Sequence, residues 1–285
     1  VTGDRHFMRR ALRLAESGWG RVQPNPMVGA IVVQGETVVG QGSHLEFGGP
    51  HAEIVALAQA GEQARGATLY VSLEPCAHHG KTPPCIEAIL AAGISRVVFA
   101  AADPNPEARG GGALLAARGV HVDSGILTEE ERRLNAAFHH VHEHGSTFVA
   151  LKLALSLDAR LSQHTGRPSA VTGEAARQEV HRLRAGYDAI LVGRGTAEAD
   201  DPLLTARGSV RPRVPLIRIV LDTHASLRPD ARLLRTIDEA PLWVLAGADA
   251  PAERTAALAQ AGAVVQRIGT THGSVDVGLA LALLW

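Results

Sequence analysis

The spacing of apolar residues divides the chain into helix-period and strand-like stretches. Phe7, Met8, Ala11, Leu12 and Ala15 recur at helical intervals, which predicts a first helix with Asp4 as its N-cap. "MVGAIVVQ" (27–34) is a buried-type strand, and "VVGQG" (38–42) follows a polar turn, so the two predict a hairpin. Helix and strand patterns then alternate: "HAEIVALAQA" (51–60), "ATLYVSL" (67–73), "CIEAILAAG" (85–93), "RVVFAA" (96–101), "GGALLAARG" (111–119) and "VHVDSG" (120–125). Strands separated by short helices predict a mainly parallel sheet covered on both faces. "TEEERRLNAAFHHVHEHG" (128–145) predicts a polar closing helix, with Thr128 and Glu131 spaced as a capping box.

Gly145 and Ser146 mark a boundary, and a second α/β pattern begins after them. It comprises a strand "TFVALKLAL" (147–155), a helix "GEAARQEVHRLRAG" (173–186), and strands "DAILVG" (188–193), "LIRIVLD" (216–222), "LWVLAG" (242–247) and "AVVQRI" (263–268). Two domains are therefore expected, residues 1–145 and 146–285, the second incomplete at its C-terminal end. The apolar "VGLALALLW" at the close of the sequence, and the opening at Val1 without a methionine, suggest a fragment.

Composition narrows the class. Apolar residues make up 46% and charged residues 20%, enough to bury two cores, and the formal net charge of −1 comes without a dense Lys/Arg block. A nucleic-acid footprint is not expected. No charged-then-apolar leader opens the sequence and no apolar run reaches about 18 residues, so a cytoplasmic protein without a membrane partner is expected. In a reducing compartment the two cysteines predict no disulfide.

Both cysteines lie in "EPCAHHGKTPPC" (74–85). Cys76 follows Pro75 directly after a strand, and Cys85 follows Pro83 and Pro84 at a helix start, where exposed N–H groups favour thiolate. Two thiolates suit zinc, and His51 at another helix start supplies a third donor. Glu53, two residues after His51, completes a His-x-Glu, Pro-Cys, Cys pattern. That pattern is the zinc-deaminase signature: His51, Cys76 and Cys85 hold Zn2+, and Glu53 moves protons without binding the metal. Zinc lowers the pKa of a water to about 7, and a nearby carboxylate can take its proton. The cysteines are eight residues apart rather than two, and the enlarged loop carries His78, His79, Lys81 and Thr82. Two other readings stand beside this one. The cysteines can be small packed side chains with His51 a core histidine, or His78 or His79 can supply a fourth ligand to a purely structural zinc. "HHVHEH" (139–144) is taken as a solvated helix face.

"PNPMVGAIVV", "HAEIVAL", "LEPCAHHGKTPPC" and "DPNP", in that order, resemble the bifunctional deaminase/reductase of riboflavin biosynthesis. The resemblance implies a cytidine-deaminase-like αβα three-layer domain followed by a partial dihydrofolate-reductase-like domain. It implies hydrolysis of the 2-amino group of a small phosphorylated pyrimidine, 2,5-diamino-6-(5-phosphoribosylamino)pyrimidin-4-one, and a homo-oligomeric enzyme. Asn25, His44, Lys81, Thr82, Asp103 and Asn105 would contact this substrate, although Asn25, Asp103 and Asn105 beside proline also suit turns. "FVALKLALSLDARLS" (148–162) and "ILVGRGTAEADDPLLTAR" (190–207) resemble the reductase half, which uses NADPH. There Ala154, Thr196, Asp200 and Thr223 would touch the nicotinamide cofactor, and Lys152, Arg184, Leu204 and Arg207 the reductase substrate. Ala159 stands where the family has Gly, Pro168 and Ala170 where it has Ser and Trp, and the later Glu-Gly-Gly segment is absent. A chain that deaminates and reduces poorly is expected. Alternatives are a cytidine, guanine or transfer-RNA deaminase, and a non-catalytic zinc-stabilised binding protein.

Overall fold

The computed structural model describes residues 2–78, 83–162 and 171–285, and the chain divides into two compact units, 1–145 and 146–285. In the first unit the elements are α1 (Thr2–Ala15), β1 (Gly29–Gln34), β2 (Thr37–Ser43), α2 (Ala52–Ala60), β3 (Thr68–Leu73), α3 (Cys85–Ala91), β4 (Arg96–Ala101), α4 (Gly111–Ala117), β5 (His121–Ser124), α5 (Thr128–Leu134) and α6 (Ala136–His144). The strands form one sheet of order β2-β1-β3-β4-β5.

Strand residues point alternately to the two faces, and both faces are apolar, so both must be covered. Ala30, Val32, Leu69, Val71, Val97 and Phe99 pack on one side with Ala52, Ala56 and Leu57 of α2, Cys85 and Ile89 of α3, and Leu115 of α4. Ile31, Val33, Tyr70, Val98 and Ala100 pack on the other with Met8, Ala11 and Leu12 of α1 and with Leu127. The result is an αβα three-layer unit. Helix α2 lies very close to β2: a Cβ on Gly42 would stand 2.4 Å from the Ala52 carbonyl oxygen. That glycine allows the first turn of α2, which carries Glu53, to sit against the sheet.

The sheet is mixed rather than mainly parallel. β1 runs antiparallel to both β2 and β3, while β3, β4 and β5 are parallel. The tight turn after β1 forces the first reversal, and only the strands joined by helical crossovers run parallel. Asp4 is not an N-cap: it lies inside α1, where it receives the Tyr70 hydroxyl at 2.6 Å and the Arg96 guanidinium at 2.9 and 3.0 Å. Thr128 and Glu131 form no capping box. Leu127 occupies the cap position at φ +62°, the Thr128 hydroxyl donates to Ala100 O at 2.7 Å, and Glu131 is fully buried. The closing helix breaks at Asn135 into α5 and α6, and His139 is buried rather than on a solvated face.

The second unit contains α7 (Glu174–Ala185), β6 (Ala189–Gly193), α8 (Arg194–Asp200), β7 (Ile217–Leu221), α9 (Arg232–Arg235), β8 (Leu242–Gly247), α10 (Ala252–Gln260), β9 (Val264–Ile268), the short strands β10 (Thr270–Thr271) and β11 (Ser274–Val275), and α11 (Val277–Leu283). Strands β6 to β9 form a parallel sheet in sequential order. Arg218 is fully buried in it, its guanidinium donating to Thr236 Oγ1 at 2.8 Å and to the Thr236 and Leu203 carbonyls at 3.0 and 3.3 Å. The strand expected over 147–155 does not form. Its alternation is suitable, but a strand requires a ladder, and among the described residues this stretch joins no sheet. Val149, Leu151, Leu153 and Leu155 are exposed instead. Among the described residues no helix is long and apolar enough to cross a membrane.

The Arg96 guanidinium holds the Asp4 carboxyl down at about 2, against the partial burial that raises it. Its folded pKa lies below its unfolded value, so the pair stabilises the fold above about pH 4 and the contribution is lost as pH falls toward 2. Asp4→Asn is expected to lower stability at pH 7 by about 1 kcal/mol, after discounting for solvent screening, and to have little effect near pH 2. Urea titrations at the two pH values check this.

Candidate metal centre

Three element ends meet at the carboxyl edge of the first sheet. His51 sits in extended conformation immediately before α2, Cys76 lies three residues beyond β3, and Cys85 opens α3 with Pro84 at the cap position. Glu74 fixes the exit of β3. Its carboxylate accepts the N–H groups of Asp103 at 3.2 Å, Gly110 at 3.1 Å and Gly112 at 3.0 Å, tying this exit to the exit of β4 and the start of α4. Gly111 permits that approach, because a Cβ there would stand 1.9 Å from the Pro75 carbonyl oxygen. The Cys85 N–H in turn points at Cys76 Sγ, 3.3 Å away.

These constraints bring His51 Nδ1 to 3.1 Å from Cys85 Sγ and 3.5 Å from Cys76 Sγ, and all three donor atoms lie within 4.8 Å of one another. Ligands bound to zinc at about 2.0–2.3 Å in tetrahedral array stand roughly 3.5 Å apart, so the set fits that ion. The cysteines form no disulfide. Both sulfurs also belong to the apolar core beneath them, so packing and metal donation are compatible. Among the described residues this is the one His/Cys/Asp/Glu group close enough to share an ion.

Hydrogen bonds from the Cys85 thiol and from the His51 ring hold the Cys76 thiol down at about 4, so a thiolate is stable there despite burial. The hydrogen bond to Cys76 raises His51. Glu53 is 3% exposed, and burial raises its carboxyl, opposed by the nearby His51 ring. A carboxyl so placed holds a proton more readily than one in water.

Glu53 faces a cavity of about 290 Å³ that opens over the donor cluster. Asn25, His44, Asp103 and Asn105 line it, with Phe47 and Phe138 as apolar walls. His44 is buried, with Nδ1 3.0 Å from Pro50 O and Nε2 3.2 Å from the Asn25 amide nitrogen. The network therefore assigns the proton to Nδ1 and leaves Nε2 as an acceptor, and burial lowers the His44 pKa. Burial also pushes the Asp103 carboxyl up to about 6. Asp103 and Asn105 do form turns, accepting the Asn105 and Glu107 N–H groups at 2.9 and 3.1 Å, and they face the cavity as well.

The four residues Asn25, His44, Asp103 and Asn105 thus join His51, Glu53 and Cys76 around one cavity, Cys85 lies buried beside His51 and Cys76, and His79, Lys81 and Thr82 lie outside the described residues. His78 lines the cavity, and its Nδ1 is buried without a hydrogen-bond partner among the described residues. No local sequence motif marks Glu74, Phe47 or Phe138 as part of the site. Glu74 stands beside the Pro-Cys pair, but its acceptor role depends on the distant 103–112 segment.

In the second unit the expected residues are dispersed in character. Lys152 is exposed and Ala154 half-buried on the irregular 147–155 stretch, and Thr196 and Asp200 are exposed on α8. Leu204 is 4% exposed and belongs to the core group that includes Val220 and Leu227. The Thr223 hydroxyl accepts the Val275 N–H at 3.1 Å. Arg184 is half-buried, donating to Thr205 O at 3.2 Å, and burial lowers its pKa; the Arg207 side chain is exposed. Pro168 and Ala170 lie outside the described residues.

Comparison with known proteins gives two family matches: the cytidine and deoxycytidylate deaminase zinc-binding region over residues 1–101, and the RibD C-terminal domain over residues 147–284. Riboflavin biosynthesis protein RibD of Bacillus amyloliquefaciens is 43% identical over 246 residues, covering 86% of this chain and 66% of its own length. The Aquifex aeolicus protein of that name is 44% identical over 243 residues, covering 85% and 68%. Among solved structures, a diaminohydroxyphosphoribosylaminopyrimidine deaminase/5-amino-6-(5-phosphoribosylamino)uracil reductase from Thermotoga maritima aligns with a TM-score of 0.82 at 36% identity, over 99% of this chain and 78% of that one. RibD of Acinetobacter baumannii aligns with a TM-score of 0.79 at 38% identity, over 94% and 75%. The chain spans about two thirds of the length of the curated relatives it matches.

Replacing Cys85 by Ser removes one of two sulfur donors. Cys85→Ser is expected to weaken zinc binding by at least about tenfold, measured by competition with a chromophoric chelator. Unchanged affinity would exclude Cys85 as a ligand.

Proposed function

The chain belongs to the RibD family of riboflavin biosynthesis proteins, and on that premise we propose that residues 1–145 hydrolyse the 2-amino group of 2,5-diamino-6-(5-phosphoribosylamino)pyrimidin-4-one. One observation carries the reading: His51, Cys76 and Cys85 converge on one point, and His51 and Cys76 line a cavity into which the buried Glu53 faces. His51 Nδ1 and the two sulfurs would hold zinc. The ion, when bound, supplies Lewis acidity that makes water a nucleophile near neutral pH.

The chain's own groups perform the remaining work. Glu53 takes a proton from the attacking water as its oxygen bonds to the carbon bearing the amino group, and gives that proton to the adjacent ring nitrogen. It then takes the proton of the newly formed hydroxyl and passes it to the departing amine, so that the C–N bond breaks, the carbonyl forms and ammonia leaves. Burial suits Glu53 to this exchange, because a raised carboxyl pKa lies nearer the working pH. The Asn25 amide is oriented by donating to His44 Nε2, which leaves its carbonyl oxygen to accept from an amino group or ring N–H of the substrate. Asp103 and Asn105 read other polar positions of the ring, and Phe47 and Phe138 exclude water from its faces. Lys81 and Thr82 are proposed to meet the phosphate.

Residues 146–285 are proposed to derive from an NADPH-dependent reductase that acts on the deaminated product. In this chain the reductase function is expected to be weak, because the 147–155 stretch that carries Lys152 and Ala154 has no place in the sheet.

Glu53→Gln is expected to keep the zinc content of the parent protein and to lose about 10²- to 10⁴-fold in kcat for ammonia release. Ammonia assays on metal-quantified protein check this, and activity within threefold of the parent would remove Glu53 from the mechanism. Ammonia release is expected to be independent of NADPH, with NADPH oxidation on the deaminated product below about one tenth of that rate. Comparable rates would show a working reductase.

A further inference from the structure

The break between α5 and α6 is built around a buried side chain with a distant target. Asn135 is 4% exposed, and its amide spans the peptide group of Met27 as a neighbouring strand would. Oδ1 accepts the Met27 N–H at 2.8 Å and Nδ2 donates to Met27 O at 2.9 Å, across 108 residues of sequence. Nδ2 also donates to Glu131 Oε1 at 2.7 Å, which fixes which end of the amide is nitrogen. The other Glu131 oxygen lies 2.8 Å from His139 Nε2. Beyond His139, the Arg132 guanidinium is 3.3 Å from Nδ1 and pairs with Glu143 at 2.8 and 2.7 Å.

Met27 lies between Pro26 and Val28, and with Asn25 these two neighbours line the cavity. Pro24 and Pro26 lack an N–H, the Asn25 N–H is spent on Val22 O at 2.9 Å, and the Val28 carbonyl accepts the His44 N–H at 2.9 Å. Between these end contacts the Met27 peptide provides the central anchor, and Asn135 holds both its donor and its acceptor. Three residues further along α6, Phe138 forms another wall of the same cavity. None of Asn135, Glu131 and His139 lines the cavity itself.

We propose that Asn135 is a positioning residue of the deaminase site: it sets the 24–28 segment, and with it Asn25, against the substrate ring, while Glu131 and His139 hold its amide in the required orientation. The substrate-binding part of this proposal rests on the deaminase reading above; the positioning part does not. Loss of the clamp should weaken binding more than chemistry, since the zinc donors and Glu53 are held by other contacts.

The test is Asn135→Ala in the 285-residue protein, read by amide hydrogen exchange and by kinetics. Exchange in a peptide covering 24–29 is expected to accelerate at least about tenfold while β3 keeps its protection and zinc content is unchanged. KM for the aminopyrimidine phosphate is expected to rise about tenfold with kcat altered less than threefold, a pattern of lost binding. Unchanged exchange at 24–29, or a parallel fall of kcat, zinc content and melting temperature, would overturn the proposal. Should wild-type protein release no ammonia, the deaminase reading fails, and the exchange measurement still decides whether Asn135 positions the segment. If Asn135→Ala does not fold, Glu131→Gln is read in the same way with a smaller expected effect, and failure of both to fold would make Asn135 a folding residue and overturn the assignment.

Discussion

The close approach of three element ends at the carboxyl edge of one sheet is the constraint on which the rest depends. An imidazole and two sulfurs within 4.8 Å are not a stable arrangement by accident. Each is delivered by a different piece of backbone, and each piece is held by contacts that tolerate little displacement. Gly42 lets α2 lie on β2, Gly111 lets α4 reach Pro75, and Glu74 ties the exits of β3 and β4 together through three N–H groups. The donor cluster is pre-formed, with one thiolate already favoured at Cys76.

Around this centre the cavity wall is assembled from segments far apart in the chain, and each is oriented by buried polar contacts. His44 orients Asn25, Asp103 organises its own turn, and Asn135 clamps the backbone beside Asn25. These contacts cost desolvation and return rigidity, because a buried polar group with good partners has one favoured geometry. The walls thus share a design: side chains that face the cavity are held by side chains that do not.

How much of this the sequence disclosed follows from the range of the forces involved. The helices and strands of the first unit and the donor set were legible because they rest on local periodicity and on residues placed at element ends. The hairpin made β1 antiparallel to β2 legible, whereas the antiparallel pairing of β1 with β3 was not, since periodicity does not encode which strands become neighbours. Asp4, Thr128 and Glu131 carried local capping signals, and tertiary partners claimed all three: Arg96 and Tyr70 for Asp4, the Ala100 carbonyl for Thr128, and Asn135 and His139 for Glu131. The roles of Glu74 and Asn135 could not be read locally at all, because their partners are 29–38 and 108 residues away. The apolar alternation at 147–155 shows the converse limit: a suitable pattern makes no strand without an edge to pair with.

Zinc X-ray absorption spectroscopy on the metal-loaded protein tests the central claim most directly. The account predicts a first shell of two sulfurs, one imidazole nitrogen and one light atom from solvent, with outer-shell scattering from a single imidazole. A shell with a second imidazole would close the centre and make the zinc purely structural. A shell without sulfur would contradict the convergence of His51, Cys76 and Cys85 on one ion.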